Sequence, residues 1–174
     1  MALMEILTEP NEILREKSLK VDVVDSDIQK LMDDMLQTMY AAPGIGLAAI
    51  QVGVPKRIIV LDLFQKDQDK KPMFFINPEI IDKSINNLTY EEGCLSVPGQ
   101  FAEIDRPDKC HIKYLDYYGH EKEIKADGML ATCIQHEIDH LEGILFIDYL
   151  SKLKKTMIIK KLSKQKKAIE RIVV

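Results

Sequence analysis

The sequence predicts an α+β protein in which antiparallel sheets pack around a central helix. Three observations carry this. A stripe of apolar residues at helical spacing opens the chain between about Ser26 and Tyr40. A run of short apolar or alternating segments, broken by turn residues, fills the middle from Arg57 to Ile124. Helical patterning then returns only near the end. Strands grouped together, rather than alternating with helices, give segregated sheets and helices instead of a parallel α/β sheet.

Taken in order, residues 1–24 offer no more than a short helical turn around Asn11 to Lys17. The first helix is better marked. Asp25 or Ser26 can cap it, Asp27 suits its first turn, and Ile28, Leu31, Met32, Met35, Leu36 and Met39 recur every three or four residues. Methionines in such a stripe are core filler. Pro43-Gly44 ends the helix. Gly44 to Gly53 (GIGLAAIQVG) contains G-x-G, but it follows a helix rather than a strand, and Ala49 stands where a phosphate-binding turn needs its third glycine. It is read as a tight loop of small residues that lets backbone approach a ligand or another strand. Its one polar side chain, Gln51, would by default be a solvated amide.

Arg57 to Phe64 (RIIVLDLF) is a strand, and Met73 to Ile81 another, kinked or placed at an edge by Pro78. Asp67 to Lys71 forms a polar turn between them, and Asn86-Asn87 a hairpin turn. Phe101 to Ile104 and Cys110 to Tyr118 are further strands, and Tyr118-Gly119 turns back into Glu121 to Ile124. Ala126-Asp127-Gly128 leads into a helix stopped by Gly143. A short apolar run, Ile144 to Ile147, precedes a last helix capped by Ser151. On that helix Ile158, Leu162, Gln165, Ile169 and Ile172 form one stripe. No linker or internal repeat divides the chain, so residues 1–174 are expected to form one domain, with 152–174 its basic C-terminal helix.

Composition is that of an ordinary globular chain, 46% hydrophobic and 30% charged. No apolar run approaches the ~20 residues of a membrane span, and Met1-Ala2-Leu3-Met4-Glu5 lacks the basic start and apolar core of an export signal. Three cysteines do not make a disulfide framework. Reduced thiols in a cytoplasmic compartment are the expectation, which leaves cysteine free to bind a metal. Charge is uneven. Residues 151–171 hold eight lysines, Arg171 and Glu170, a net of +8 that leaves −12 on the rest of a chain totalling −4. A basic tail on an acidic body suits an anionic partner, although most such runs are solvated helix faces.

The chemistry-bearing stretch is Gln135-His136-Glu137-Ile138-Asp139-His140, an H-E-x-x-H on the last helix of the body. Residues four apart share a helix face, so His136 and His140 can hold one ion, with Glu137 beside it to handle protons of water. Two imidazoles do not complete a divalent site. Cys133 shares the face of His136 but lies seven residues from His140, ~10.5 Å along the axis, too far for one ion bound at ~2.0–2.3 Å. Downstream, the H-x-x-G-x-x-H continuation fails because Phe146 stands at the third histidine, Glu142 is too close and Glu170 too far. Upstream, His120 lies at a turn, and Cys110 and His111 face opposite sides of a strand. Cys94 remains. A lone cysteine is more often a small buried hydrophobe, but Gly93 frees the backbone beside it. Three protein ligands would leave a fourth position for water, as in catalytic rather than structural sites.

Three segments together, Gly44-Ile45-Gly46-Leu47-Ala48-Ala49-Ile50-Gln51, Glu92-Gly93-Cys94-Leu95-Ser96 and Gln135 to His140, resemble the peptide deformylase family in order and spacing. The resemblance extends from the first helix to the lysine-rich last one. It implies removal of the formyl group from the N-terminal formyl-methionine of new polypeptides, with release of formate. It implies Cys94, His136 and His140 as ligands of one divalent ion. That ion is usually Fe²⁺, with Ni²⁺ or Co²⁺ active and Zn²⁺ often poorly so, whereas the residues alone would point to zinc. Glu137 would carry the proton, and the Gln51 amide and Leu95 N–H would bind the oxyanion. Gly44, Gly46 and Gly93 would keep side chains away from a small formyl group. Ile45 and Gly46 would line the substrate channel with Leu95, and Ile45, Tyr90, Met129, Thr132, Cys133 and His136 would form a methionine pocket; Glu92 is counted with the substrate-contacting residues.

The resemblance also implies ribosome docking through the basic C-terminal helix, and a monomeric cytoplasmic enzyme. Many bacterial relatives carry an arginine near Phe101 that contacts the substrate backbone; this chain does not. Two other readings are an amidohydrolase with the same ligands and a different acyl group, and a non-catalytic metal-binding or translation-associated module. Retention of both Glu137 and Gln51 argues against the second.

Overall fold

The computed structural model describes residues 2–64 and 68–173. Asp67, expected at the start of a polar turn, lies outside them. Helix α1 spans Ser26–Ala41, and the Asp25 carboxylate accepts from the Ile28 N–H at 2.9 Å, satisfying one of the orphan donors of the first turn. Its methionines face inward: Met32, Met35 and Met39 are fully buried.

They pack on a five-stranded antiparallel sheet. Its strands are β1 (Gly46–Ala48), β2 (Ile58–Leu61), β3 (Met73–Lys83), β6 (Lys109–Leu115) and β7 (Glu121–Asp127), adjacent in the order β1-β2-β3-β6-β7. Both faces are covered. Side chains alternate across a strand, so Ile58 and Val60 meet α1 while Ile59 and Leu61 meet helix α2 (Gly128–Leu141) on the other side. This is why β2 reads as an unbroken apolar run. α2 contributes Ala131, Ile134, Ile138 and Leu141 to that second core.

The remaining strands, β4 (Asn87–Cys94) and β5 (Val97–Pro107), form a separate two-stranded ribbon. Asn86-Asn87 is therefore a crossing between sheets and not the expected hairpin, because β3 pairs with β2 and β6 while β4 pairs only with β5. The ribbon's apolar side, with Val97 and Ile104, packs on Leu145, Phe146, Ile147 and Leu162. Phe146 and Ile147 belong to a 3-10 turn, Phe146–Tyr149, and Leu162 to helix α3 (Lys152–Val173). Only the first half of the α3 stripe is used. Ile158 and Leu162 reach this core, but Ile169 and Ile172 are 64% and 84% exposed.

One further expectation changes, and two others take a definite form. Gly44 to Gly53 is not a loop: it holds β1 and a 3-10 turn, Ala49–Val52, with Gly46 to Gln51 buried. The kink at Pro78 is a pair of register shifts in β3, between Ile76 and Glu79 and between Ile80 and Asp82. There Asn77 has φ +51°, and its side-chain amide exchanges two 2.8 Å hydrogen bonds with the Val21 backbone. Residues 2–24 are mostly extended. Their N–H groups bond to Gln51 O (from Leu7, 2.7 Å), Ser96 O (from Glu9, 2.8 Å) and Leu141 O (from Ser18, 2.8 Å). The single 3-10 turn among them, Glu12–Arg15, falls where a helical turn was expected.

Arg15 also reaches Asp148 at 2.6 Å, and Lys155 reaches the same carboxylate at 2.7 Å. Burial disfavours the charged form of Asp148, but hydrogen bonds from Arg15, Lys155 and the Leu145 N–H outweigh it and lower its pKa. A carboxylate lowered by folding stabilises the protein above its unfolded pKa and loses that stabilisation as pH falls through the folded value. Asp148→Asn should therefore cost about 1 kcal/mol at neutral pH, and its stability should fall less steeply below about pH 4, measured by urea melts across pH.

Candidate metal centre and active site

Two elements bring the donors together. α2 presents His136 and His140 one turn apart, with ring centroids 5.1 Å apart. The ribbon presents Cys94 at its tip, where Leu95 and Ser96 connect it to its cross-strand partner Val97. Regular alternation would aim Glu92 and Cys94 to the same face. They do share it: both reach α2, and the register shift between Glu92 and Cys94 is taken up by extra residues on β5, between Val97 and Ala102. Cys94 Sγ lies 3.3 Å from His140 Nε2, and one donor atom from each of Cys94, His136 and His140 falls within 4.8 Å of the others.

The donor chemistry fits a divalent ion. Glu92 Oε1 lies 2.7 Å from His136 Nδ1. Burial raises the Glu92 pKa, but hydrogen bonds from His136 and Arg106 outweigh it and hold it below the usual range. An ionised carboxylate only accepts, so Nδ1 carries a hydrogen, which leaves Nε2 as the nitrogen that an ion could take. Burial lowers His140, and the positive neighbours His136, Arg106 and Arg15 push the same way, so its ring is neutral. At His136 burial also opposes a charge, but hydrogen bonds to Cys94 and Glu92 overcome it and raise the pKa. An environment that attracts a proton there attracts any cation.

Arg106 locks this arrangement. It is 3% exposed and forks onto Glu92 through Nε at 2.7 Å and Nη2 at 3.0 Å, while Nη1 reaches Asp139 at 2.8 Å. Tyr149 donates to the same Asp139 oxygen at 2.7 Å, and its ring lies 4.9 Å from the guanidinium carbon. Glu92 borders the cavity as expected, but its carboxylate is committed to a histidine and an arginine rather than turned towards a ligand.

Glu137 is 6% exposed, and its Oε2 has no hydrogen-bond partner among the described residues. Burial, then the negative charge of Glu92, push its pKa up to about 7 against the opposing effect of His136. Gln51 is not a solvated amide. It is 1% exposed, its Oε1 accepts from the Ala48 N–H at 2.9 Å, and its Nε2 donates to Ser96 Oγ at 3.0 Å with Cys94 Sγ 3.5 Å away. The 3-10 turn that carries it therefore fixes which end of the amide faces the site.

A cavity of about 500 Å³ opens onto these groups. Gln51, Cys94, Leu95, His136 and Glu137 line it, with His140 behind them. All the other residues expected to contact substrate line it too: Gly44, Ile45 and Gly46 on one side, Tyr90, Glu92 and Gly93 on the ribbon, Met129, Thr132 and Cys133 on α2. Burial pushes the Cys133 thiol up to about 12, which leaves it a neutral apolar wall and not a ligand. The expectation missed Val97, Pro98 and Gln100 as lining residues, and Phe101, noted for its place in relatives, lines the cavity with them. Pairing of β5 with β4 would have exposed them, since residues opposite Gly93 share its wall.

The glycines do something other than leave room for substrate. A Cβ on Gly44 would stand 2.7 Å from Leu95 Cδ1, on Gly46 2.5 Å from Glu137 Oε1, and on Gly93 2.6 Å from Phe101 Cε1. The space beside each is already filled by a side chain of the site.

A thiol and two imidazoles around one point, beside a buried carboxyl in an apolar cavity, define a metal-dependent hydrolase. A family profile described as polypeptide deformylase matches residues 3–156. The peptide deformylase of Pelagibacter ubique is 64% identical over 166 residues, 95% of this chain and 96% of the relative. That of Maricaulis maris is 61% identical over 171 residues, 98% of each. The crystal structure of peptide deformylase from Ehrlichia chaffeensis superposes with a TM-score of 0.92 at 45% identity, covering 96% of this chain and 98% of that one; its complex with actinonin gives 0.91. The chain belongs to the polypeptide deformylase family. It is an enzyme that removes the N-formyl group from newly made peptides, and the family is metal-dependent. Among the described residues no helix is long and apolar enough to cross a membrane.

Because Glu92 orients His136 and neutralises Arg106, Glu92→Gln should lower affinity for a divalent ion about 10–100-fold, read by chelator competition with circular dichroism as the folding control. Unchanged affinity would show that the carboxylate does not support the ligand.

Proposed function

We propose that deformylation runs at the cluster of Cys94, His136 and His140, with Glu137, Gln51 and Leu95 performing the chemistry on N-formyl-methionyl peptides. The observation that carries this is the convergence of a thiol and two imidazoles, from two separate elements, beside one buried carboxyl. Cys94, His136 and His140 would hold one divalent ion. When bound, that ion supplies Lewis acidity and lowers the pKa of water from ~15.7 towards ~7.

Glu137 takes the proton of the attacking water on its carboxylate and passes it to the nitrogen of the leaving amine. Its placement against Gly46 limits where that carboxylate can sit. As the formyl carbon becomes tetrahedral, charge grows on its oxygen. Gln51 Nε2 and the Leu95 N–H donate to it, each such donor being worth ~3–4 kcal/mol. The hydrogen bond from Ala48 to Gln51 Oε1 supports this, because it turns the amide's donor end towards Cys94. The methionine side chain is read into the apolar part of the cavity, among Ile45, Tyr90, Met129, Thr132 and Cys133, with Gly44, Gly46 and Gly93 at its borders.

Fe²⁺ is the ion proposed for the cell, with Ni²⁺, Co²⁺ or Zn²⁺ able to substitute; one thiolate with two imidazoles suits all of these. Metal analysis of anaerobically purified protein tests it. Residues 1–174 are read as one domain, since α2 packs in the sheet core while its Asp139 pairs with Arg106 of the ribbon; a monomeric, cytoplasmic enzyme is proposed alongside.

The basic helix α3 is proposed to dock on the ribosome through phosphate contacts. Most of it lies beyond the family match that ends at residue 156. Deleting all of 152–174 would uncover Val97 and Phe146, which pack against Leu162, so charge reversal of Lys160, Lys164, Lys167 and Arg171 is the cleaner test. It should reduce co-sedimentation with ribosomes at low salt; unchanged co-sedimentation would remove this assignment.

For the chemistry, Glu137→Ala should keep the metal and abolish formate release from formyl-Met peptides, and Gln51→Ala should lower kcat about 10²–10³-fold. Turnover retained by Glu137→Ala would defeat the assigned proton role.

A further inference from the structure

A second groove, of about 720 Å³, adjoins the active-site cavity. Gln100 and Phe101 line both. One wall is β5, from Gln100 to Glu103; the other is the first half of α3, with Lys154, Met157 and Lys161. That wall is fixed in place, because Ile158 and Leu162 on the same helix are packed into the ribbon's core. Two large apolar side chains nevertheless face outward here, Phe101 at 66% and Met157 at 61% exposure. The Phe101 ring is held over Gly93, immediately before Cys94, at the point where the two spaces meet.

We propose that this groove is an extended subsite for the same peptide substrate. The residues that follow the first few of a formyl-methionyl chain would cross Phe101 and lie between β5 and α3. Continuity with the cavity that takes the peptide's first residue selects this occupant, since a chain leaving that cavity past Phe101 meets the groove next. Phe101 and Met157 favour an apolar or aromatic side chain. Lys154 and Lys161 favour an acidic one, with Glu103 the opposing charge on the facing strand. Phe101 is thus a specificity-determining residue that acts by stacking and burial, where a charged side chain would instead pair with backbone carbonyls.

Reach decides which substrates sense the groove. At ~3.3 Å per extended residue, a peptide of about three residues spans ~10 Å and one of about eight spans ~26 Å. The longer chain therefore covers more of the groove.

The subsite rests on the deformylation reading, and the experiment separates the two. Formate release would be measured for a short formyl-Met peptide and for two long ones, which carry either aromatic and acidic residues or only glycine and serine beyond the third position. The aromatic and acidic long peptide should show a KM about tenfold lower than the glycine–serine one, with similar kcat. Phe101→Ser should bring that ratio close to one, and Lys161→Glu should reduce it. A ratio within twofold in the unaltered protein, alongside normal turnover of the short peptide, would overturn the subsite alone. No formate from the short peptide would overturn the activity and the subsite with it. Concentration-dependent dimerisation that Met157→Glu abolishes, without any dependence on peptide sequence, would assign the groove to a second copy of this chain and overturn the proposal.

Discussion

The site depends on joining two elements that belong to different cores, a two-stranded ribbon and a helix. The junction is a buried cation. Arg106, on β5, holds Glu92 of β4 with two hydrogen bonds and Asp139 of α2 with a third. Burying a guanidinium and two carboxylates carries a large desolvation cost, and the attraction offsets it only where geometry is good and the remaining lone pairs are used. Here they are used by His136 Nδ1 and the Tyr149 hydroxyl. The network therefore does more for position than for stability. Glu92 lies two residues from Cys94, and Asp139 one residue from His140, so fixing those carboxylates fixes the donors.

The N-terminal segment closes the assembly from outside. Its N–H groups bond to Gln51, Ser96 and Leu141, one contact for each of the three site-bearing segments. Gly143, with φ +74°, lets the chain leave α2 against the Arg15 backbone, where a Cβ would collide. Arg15 in turn reaches across to Asp148. The first part of the chain, which carries none of the reacting groups, thus restrains all of the elements that do.

How legible this was differs by feature. The stripe on α1, the Asp25 cap and the H-E-x-x-H face follow from local periodicity and capping, which act within a few residues, and they stand as expected. Cys94 was reachable because helix geometry excluded Cys133 and sequence order excluded Phe146, Glu142 and Glu170. What failed was pairing. Asn86-Asn87 resembles a hairpin turn, but which sheet a strand joins is settled by partners far along the chain. Gln51 looked solvated because its burial depends on Leu7 and Ser96, each more than forty residues away. Arg106 drew no notice for the same reason: a lone arginine in a strand says nothing about the two carboxylates it will meet. The stripe on α3 is legible, but which half of it is buried is not, because periodicity reports a face and not a partner.

The glycines connect these threads. Each of the three segments that carry the family resemblance touches another through a position without a Cβ. Gly44 admits Leu95, so the first segment meets the second. Gly46 admits the Glu137 carboxyl, so the first meets the third. The Gln51 amide then spans from Ala48 back to Ser96, completing the contact between first and second. Any side chain at Gly44 or Gly46 would have to displace the far end of the Leu95 or Glu137 side chain. The spacing among the segments is therefore a steric condition, in which missing side chains let Leu95, the Glu137 carboxyl and the Cys94 thiol approach one cavity.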